Sequence, residues 1–402
     1  MTQASRGAFV FCVLALCALG TVMIYSATVT TADRVLGDGD STLVKHLFWL
    51  GLALCGFAAA ATLDWRKWEP AAPWLFAGSA ALLLAVLIPG VGAEVNGARR
   101  WFRAGSMSFQ PSELMKIALP VFLAWLLTRD PARVRTFRGG FLPAAGAIAC
   151  AAGLTALEPD FGTAALLAAS GGLVALLGGV RFAHALPPVL AVIPVVGIAA
   201  WSRFDHVKAR LAIFLDPDAD PLGKGYQLKQ GLIGLGAGGK YGVGLGLSKQ
   251  KLFFLPEKHT DYIFSILGEE LGFVGTIGVV VLFLLLLWHG RTIARRCASS
   301  FGALATAGML VTVGLQAAMN IAVVTASVPP KGISLPFISF GGSGLLFTMV
   351  AMGFVVAVGS TPVAAPVPAA VPPAVPEPVS SPSGHEPLAP ALQDPQPPDS
   401  HP

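Results

Sequence analysis

Long apolar stretches alternate with short polar ones along most of this chain. A membrane-spanning helix needs about 20 predominantly apolar residues, and ten stretches come close to that length. They lie near residues 8–28, 43–63, 73–92, 112–128, 140–157, 161–180, 184–202, 262–288, 301–327 and 339–360. The pattern therefore predicts an all-α polytopic membrane protein with ten transmembrane helices.

The lysines and arginines of the short loops predict the orientation, because basic residues are retained on the cytoplasmic side. With the N-terminus inside, eleven basic residues face the cytoplasm: Arg6, Arg66, Lys67, Arg129, Arg133, Arg135, Arg138, Arg181, Arg291, Arg295 and Arg296. The opposite orientation would require translocation of the dense 129–138 cluster. The sequence thus predicts an N-in and C-in protein with a large extracytoplasmic loop, 203–260, between helices 7 and 8.

Composition agrees with a membrane location and divides the chain in two. Hydrophobic residues make up 54% and charged residues only 12%, against about a quarter charged in soluble domains. Residues 1–360 form the predicted membrane domain. Residues 361–402 hold fourteen of the 31 prolines and no lysine or arginine, so a disordered cytoplasmic tail is expected there. No nucleic-acid partner is expected, and the five cysteines show no metal-ligand spacing.

Acidic residues enter an apolar stretch at the start of the eighth predicted helix. Glu257 and Asp261 precede it, and Glu269 and Glu270 lie within it. An ionisable group inside a span costs about 2.5–3.5 kcal/mol, so such groups usually line a polar cavity or pathway. Asp261, in His259-Thr260-Asp261, has two interpretations: a helix cap, or a carboxylate at the water–lipid border that accepts a proton from a hydroxyl.

Two other acids also have a local explanation beside a functional one. Glu113 and Lys116 are three residues apart, as in a local ion pair, although Lys116 would otherwise face lipid. Asp160 is placed to cap the sixth helix. The glycines of 234–239 lack the Gly-Lys-Ser/Thr signature of a phosphate loop and favour a tight turn on the membrane surface.

Several basic residues lie on the predicted outer side, although basic residues of short loops are usually retained on the cytoplasmic side. They are Arg99, Arg100, Arg103, Lys116 and Lys331, together with the lysine-rich loop 203–260. Cations kept outside in short loops suggest an anionic ligand. Contact of Arg100 and Trp101 with lipid headgroups is the alternative.

Seven motifs, in order, resemble the SEDS family (shape, elongation, division and sporulation), whose members include FtsW, RodA and SpoVE. They are NGARRWF, FQPSEL, EPDFGT, DPLGKGYQLKQGLIGLGAGG, LPEKHTDYIF, GEELGFVG and PPKGISLPFISFGGSG, and the resemblance covers about residues 8–360. The Lys331-Gly332 pair and the run 266–270 are more similar to FtsW than to RodA.

The resemblance implies a ten-helix glycosyltransferase that polymerises lipid II into peptidoglycan strands outside the cytoplasmic membrane. Asp261 matches the family's catalytic aspartate, and Arg100 and Lys331 match functionally important positions. Arg99, Lys116 and Arg210 are candidates for substrate binding by charge and side alone. Glu113, Asp160, Glu257, Glu269 and Glu270 are expected to support a polar cavity. A divalent cation, Mg²⁺ or Mn²⁺, would suit the pyrophosphate.

The expected partners are a class B penicillin-binding transpeptidase, other division proteins of the membrane, and membrane lipids. An FtsW-like member would act at the division septum. Three alternatives stay open: a RodA-like elongation polymerase, a lipid II flippase, and a non-catalytic scaffold. The intact His-Thr-Asp motif and Lys331 argue against the scaffold.

Overall fold

The structure, a computed structural model, describes residues 2–28, 39–95, 97–105, 107–184, 186–187, 214, 224–253 and 260–360. Within these ranges the principal helices are α1 (Thr2–Thr28), α2 (Gly39–Thr62), α3 (Trp68–Val86), α4 (Pro111–Thr128), α5 (Leu142–Leu157), α6 (Phe161–Leu177), α7 (Lys224–Ala237), α8 (Gln250–Phe253), α9 (Ile263–Arg296), α10 (Ser300–Val324) and α11 (Gly342–Ser360).

The protein is mostly helical, and its long helices are apolar. Eight helical segments in the described part of the chain are long and apolar enough to cross a membrane, and α6 is a shorter apolar helix of 17 residues. Nine of the ten predicted spans thus coincide with described helices. The tenth, at 184–202, lies almost wholly outside the described residues, as do the 361–402 tail and residues 203–213 and 215–223 of the long loop.

A small antiparallel sheet departs from the predicted all-α fold. Its strands are β1 (Ala93–Val95), β2 (Ala98–Ala104) and β3 (Met107–Phe109), in the order β1-β2-β3. Glu94 pairs with Arg99, and Phe102 pairs with Phe109. The charges of this segment suggested a loop, but its aromatic residues favour an extended strand. The sheet presents Arg100 to the turn between α5 and α6.

Helix α4 lies in the centre of the bundle. It begins with Pro111, which suits the first turn because proline lacks the N–H that would be unpaired there. It packs against α3, α5, α6, α10 and α11, and 12 of its residues are buried. Polar groups on α4 are therefore enclosed by protein rather than by lipid.

Helix α9 is broken at Gly272, which has φ +68° and ψ −165°. A break leaves backbone groups without their helical partners, and in a membrane these must be satisfied by protein. Here the chain at 239–244 supplies the partners. The N–H groups of Phe273 and Val274 donate to the carbonyls of Gly239 (2.9 Å) and Lys240 (3.1 Å). The N–H groups of 243 and 244 donate to the carbonyls of 269 and 270 at 2.9 and 3.1 Å.

The glycines of the long loop have a different role from the predicted turn on the membrane surface. Gly234 and Gly236 lie within α7, and Gly238 and Gly242 pack against the α9 backbone at residues 268–271. Gly242 has φ +80°, and a Cβ there would overlap the Glu270 carbonyl. Close backbone approach therefore accounts for Gly238 and Gly242. A turn is nevertheless present at 238–241, where Gly239 is exposed and has φ +53°.

Candidate functional site

Asp261 lies just before α9, with Tyr262 at the N-cap position. Its carboxylate rests over Gly332, since a Cβ added at Gly332 would be 3.0 Å from Asp261 Oδ2. Asn320 on α10 donates from Nδ2 to the carbonyls of Asp261 (2.9 Å) and Ile333 (2.7 Å). One amide therefore ties the aspartate to the segment that carries Lys331.

A second link joins the same two segments. The Ser339 hydroxyl donates to the Thr260 carbonyl at 2.7 Å and accepts from the Leu335 N–H at 2.8 Å. Lys331 is half-buried at the start of this segment, next to Gly332. Thr260 and Asp261 thus form one site with the segment that carries Lys331, 70 residues further along the chain, while His259 lies outside the described residues.

Arg100 holds the turn between α5 and α6. Its Nε donates to the Glu158 carbonyl at 2.7 Å, and its Nη2 donates to the Pro159 carbonyl at 2.6 Å. The two bonds fix the plane of the guanidinium, which is half-buried. The position of this side chain is therefore set by the protein, and contact with lipid headgroups is not needed to explain it.

Asp160 caps α6, as one of its two interpretations predicts. It accepts from the Thr163 N–H (3.1 Å) and hydroxyl (2.9 Å), and from Gln110 Nε2 at 3.3 Å. The capped end packs on the lysine-bearing segment, because a Cβ at Gly162 would meet the Ile333 side chain at 3.2 Å. The Arg100 turn, the start of α6 and the Asp261 site are therefore contiguous.

Glu113 and Lys116 form the predicted ion pair at 2.6 Å, with side chains only 12% and 9% exposed. Lys116 Nζ also donates to Gln316 Oε1 at 3.0 Å, and Gln316 Nε2 donates to the Ser334 carbonyl at 2.9 Å. The pair is thus more than a local helix contact. It connects α4 through α10 to the segment that carries Lys331.

Glu269 and Glu270 are buried and satisfied on the other side of α9. Glu269 accepts from the Ser248 hydroxyl and from the N–H groups of 249 (2.9 Å) and 250 (3.3 Å). Glu270 pairs with Lys251 Nζ at 2.8 Å and accepts from the Ser26 hydroxyl at 2.7 Å. These contacts attach the long loop to α9 and α1.

The other predicted site residues are dispersed or undescribed. Arg99 forms an ion pair with Glu94 at 3.1 Å at the exposed edge of the sheet. Arg210 and Glu257 lie outside the described residues. Glu158 was not predicted, although it stands between two spans beside Asp160. It is fully buried. The sequence signal for this was an acid in a turn between two spans that is too short to place the side chain in water.

Two groups near the site have shifted pKa values. Burial raises the pKa of Tyr262 to about 12, and the negative charge of Asp261 adds to the shift. Burial, followed by the charge of Asp160, raises the pKa of Glu158 to about 8, while Arg100 acts in the opposite direction. Tyr262 is therefore neutral across the physiological range, and Glu158 is mostly protonated at pH 7.

The described residues do not build a metal centre. No three His, Cys, Asp or Glu side chains among them converge as a metal-binding group. A cavity of about 690 Å³ lies between α6, α9 and α10 and is lined mainly by leucine and alanine, with Arg291 and Arg295. It contains no carboxylate, so it is not the candidate active site.

Comparison with known proteins gives a consistent result. The family profile for the FtsW/RodA/SpoVE cell cycle proteins matches residues 7–361. A protein of Nitrosococcus halophilus described as "Probable peptidoglycan glycosyltransferase FtsW" is 41% identical over 86% of this chain and 89% of its own. Stage V sporulation protein E of Bacillus subtilis is 37% identical over 86% of this chain and 94% of its own.

Solved structures agree with these sequence matches. One solved chain superposes with a TM-score of 0.73 at 32% identity, covering 87% of this chain and 96% of its own. The structure is described as "Structural coordination of polymerization and crosslinking by a peptidoglycan synthase complex". Rod shape determining protein RodA of Thermus thermophilus gives a TM-score of 0.63 at 30% identity, covering 87% and 95%. This chain belongs to the FtsW/RodA/SpoVE family.

Proposed function

We propose that this protein is a peptidoglycan glycosyltransferase that polymerises lipid II at the outer face of the cytoplasmic membrane. The observation that carries the proposal is the contact of Asp261 with Gly332, next to Lys331 and contiguous with the turn held by Arg100. A carboxylate and cations brought together in this way suit transfer of a sugar from a diphosphate. The FtsW relatives support the division role.

Asp261 acts as the general base. It takes the proton from the 4-hydroxyl of the acceptor GlcNAc as that oxygen attacks the anomeric carbon of MurNAc. The new glycosidic C–O bond forms while the bond from the anomeric carbon to the phosphate oxygen breaks, and undecaprenyl pyrophosphate leaves. A positioned base of this kind contributes about 10²–10⁴-fold to a rate. The bond from Asn320 to the Asp261 carbonyl limits movement of the base.

Arg100 and Lys331 stabilise the negative charge that develops on the leaving diphosphate. The guanidinium has five N–H donors. Two are used by the turn carbonyls, so three remain for phosphate oxygens as far as the described residues show. Lys116 supports the Lys331 segment through Gln316. Arg99 and Arg210 are candidates for further substrate contacts. No step is assigned to a divalent cation, since the described residues form no group that would hold one.

We further propose a ten-helix protein, N-in and C-in, in which residues 1–360 form the catalytic domain and 361–402 a cytoplasmic tail. The bond from Arg6 Nη1 to Ser360 Oγ, 2.8 Å, supports a common side for the start of α1 and the end of α11. The test is labelling by an impermeant maleimide after replacement of the exposed Cys55 and Cys150. Tyr241→Cys, at a position 81% exposed, should react in intact cells. Arg135→Cys should react only after permeabilisation, and the reverse pattern would contradict the proposed orientation.

A class B penicillin-binding transpeptidase is the proposed partner, at the division septum together with other division proteins. The direct test is polymerisation of purified lipid II by the purified protein with and without such a transpeptidase. Glycan strands should form with the intact protein and not with Asp261→Asn. Absence of glycan strands with the intact protein would contradict the proposed function, whereas equal polymerisation by both proteins would contradict only the role of Asp261.

The flippase alternative is less well supported by the geometry. Its pathway would use Glu269, Glu270 and Lys116, but the two glutamates are bound by Ser248, Lys251 and Ser26. The cavity at Lys116 is only about 20 Å³, close to the space of one water molecule. Transporters also contain broken helices. In α9, however, the break at Gly272 is filled by the chain at 239–244, which leaves no opening for a headgroup there.

A further inference from the structure

Glu158 is a buried acid whose carboxyl group has no hydrogen-bond partner among the described residues. It is fully buried, and within the described part of the chain neither Oε1 nor Oε2 has a partner. Asp160, two residues on, is fully satisfied by Thr163 and Gln110. Buried polar groups are normally paired, and a buried carboxylate without a partner is strongly unfavourable. The arrangement therefore favours the neutral acid.

The main chain of Glu158 is held by the residue that we assign to the diphosphate. Arg100 binds the carbonyls of Glu158 and Pro159, so its positive charge lies close to the Glu158 side chain. An ionised carboxylate there would pair with the guanidinium. It would then compete with the diphosphate for the three N–H groups that remain.

The charged groups that act on Glu158 come from two elements. Asp160 lies on its own turn and raises its pKa, whereas Arg100 on β2 lowers it, and burial is the largest cause of the net rise to about 8. The segment packed against the start of α6, through Gly332 and Ile333, carries Lys331. The groups facing Glu158 are thus mixed in charge.

We propose that Glu158 is a positioning residue that stays protonated during turnover and so keeps the charge of Arg100 available to the diphosphate of lipid II. This inference rests on the proposed function. Loss of the proton converts the acid into an internal competitor of the substrate. The protein should then bind lipid II more weakly, while the chemistry at Asp261 is unchanged.

The sign of the pH dependence follows from the direction of the shift. Glu158 is neutral below about pH 8 and charged above it. One unit above that pKa the charged form outnumbers the neutral one about tenfold, so KM for lipid II should rise about tenfold at about pH 9 relative to pH 7. Glu158→Gln has nearly the same shape and no charge at any pH, so its KM should change less than about twofold.

The test compares KM and kcat across this range for the intact protein with its transpeptidase, Glu158→Gln, and Asp130→Asn as a matched acid-to-amide control. Asp130 is exposed and pairs with Arg133, so its variant should follow the unaltered protein. Activity of Glu158→Gln near normal at pH 7, with a flat KM, is the expected result. An alkaline rise in KM equal to that of the unaltered protein would overturn the inference. Loss of activity at pH 7 by a folded Glu158→Gln would do so as well.

Two measurements on the purified protein do not depend on its activity. Infrared spectroscopy should show a protonated carboxylic acid band at pH 7 that titrates near pH 8 and is absent from Glu158→Gln. Glu158→Gln should also melt higher than the unaltered protein at pH 7, because the acid's raised pKa lowers stability above its ordinary value of 4.5. Absence of both effects would refute the inference and leave the proposed function standing. Presence of both, without polymerisation, would refute the proposed function and leave only the protonation of Glu158 standing.

Discussion

The carboxylate of Asp261 is packed against the α-carbon of Gly332, so that a Cβ at residue 332 would lie 3.0 Å from Oδ2. This relationship explains why the lysine-bearing segment has its smallest residue immediately after Lys331. Any side chain at 332 would have to displace the carboxylate. Glycine at 332 therefore lets the base approach the cation-bearing segment more closely than a residue with a Cβ would.

Gly332→Ala should lower kcat by about tenfold or more while the protein stays folded, because small displacements of a reacting group are costly. Gly341→Ala is the matched control, since a Cβ there would meet nothing closer than 3.9 Å. Lipid II polymerisation and a thermal melt of both variants are the measurements. Normal kcat in Gly332→Ala would mean that the carboxylate position is not critical.

Asp261→Asn should reduce polymerisation by at least about 100-fold, because asparagine cannot accept the proton. Asparagine retains the size of the side chain, and the bond from Asn320 to the backbone carbonyl is unaffected, so the melting temperature should be little changed. Near-normal polymerisation by this variant would remove Asp261 as the base.

Replacement of arginine by lysine at 100 should reduce activity more than replacement of lysine by arginine at 331. Arg100→Lys should lose most activity, because lysine cannot make the paired bonds to the Glu158 and Pro159 carbonyls. Lys331→Arg should be milder, since lysine acts as a point charge. Polymerisation of lipid II in detergent, where no membrane crossing is needed, is the assay. Arg100→Ala and Lys331→Ala should both slow polymerisation in this assay. Full activity of both in detergent, with failure in cells, would favour transport or partner recruitment.

Glu113→Gln alone, or Lys116→Met alone, should destabilise the protein by about 3–5 kcal/mol. In each case the remaining buried charge has lost its charged partner. The double variant Glu113→Gln/Lys116→Met should recover much of that stability. Thermal unfolding of the two single variants and the double variant forms the cycle. Simple additivity would show that the two side chains are not coupled.

Gly272→Ala should destabilise the protein by more than about 2 kcal/mol, because alanine disfavours positive φ and its Cβ would lie 2.7 Å from the Lys240 carbonyl oxygen. Gly278→Ala, in the same helix with nothing within 4 Å, should be neutral or slightly stabilising. Yield and melting temperature in detergent compare the two. Equal melting temperatures would show that the break is not required.

Local patterns predicted the helices well, because each membrane span can be recognised from its own run of about 20 apolar residues. They predicted the Asp160 cap and the Glu113–Lys116 pair for the same reason, as both lie within one helical turn. The sheet at 93–109 was missed because its three arginines were interpreted as ligand-binding charges in a loop. Its aromatic residues and the glycines on either side of β2 were the signals available.

Contacts between distant parts of the chain could not be predicted in this way. Arg100 binds carbonyls 58 and 59 residues away, and backbone acceptors leave no pattern in the sequence. Glu270 meets Ser26 across 244 residues, so its acidic character alone suggested a cavity rather than an attachment point. The buried state of Glu158 follows from the same kind of tertiary packing.

The break in α9 makes the helix dependent on residues 239–244, so the two stretches of chain must be compatible with each other. Residues 239–244 supply the acceptors for Phe273 and Val274, and without them those N–H groups would enter the bilayer unsatisfied. During synthesis the glycine segment precedes the helix, so it is available when the helix inserts. A chimera of two relatives should therefore exchange 224–253 and 263–296 together, with crossover points outside both.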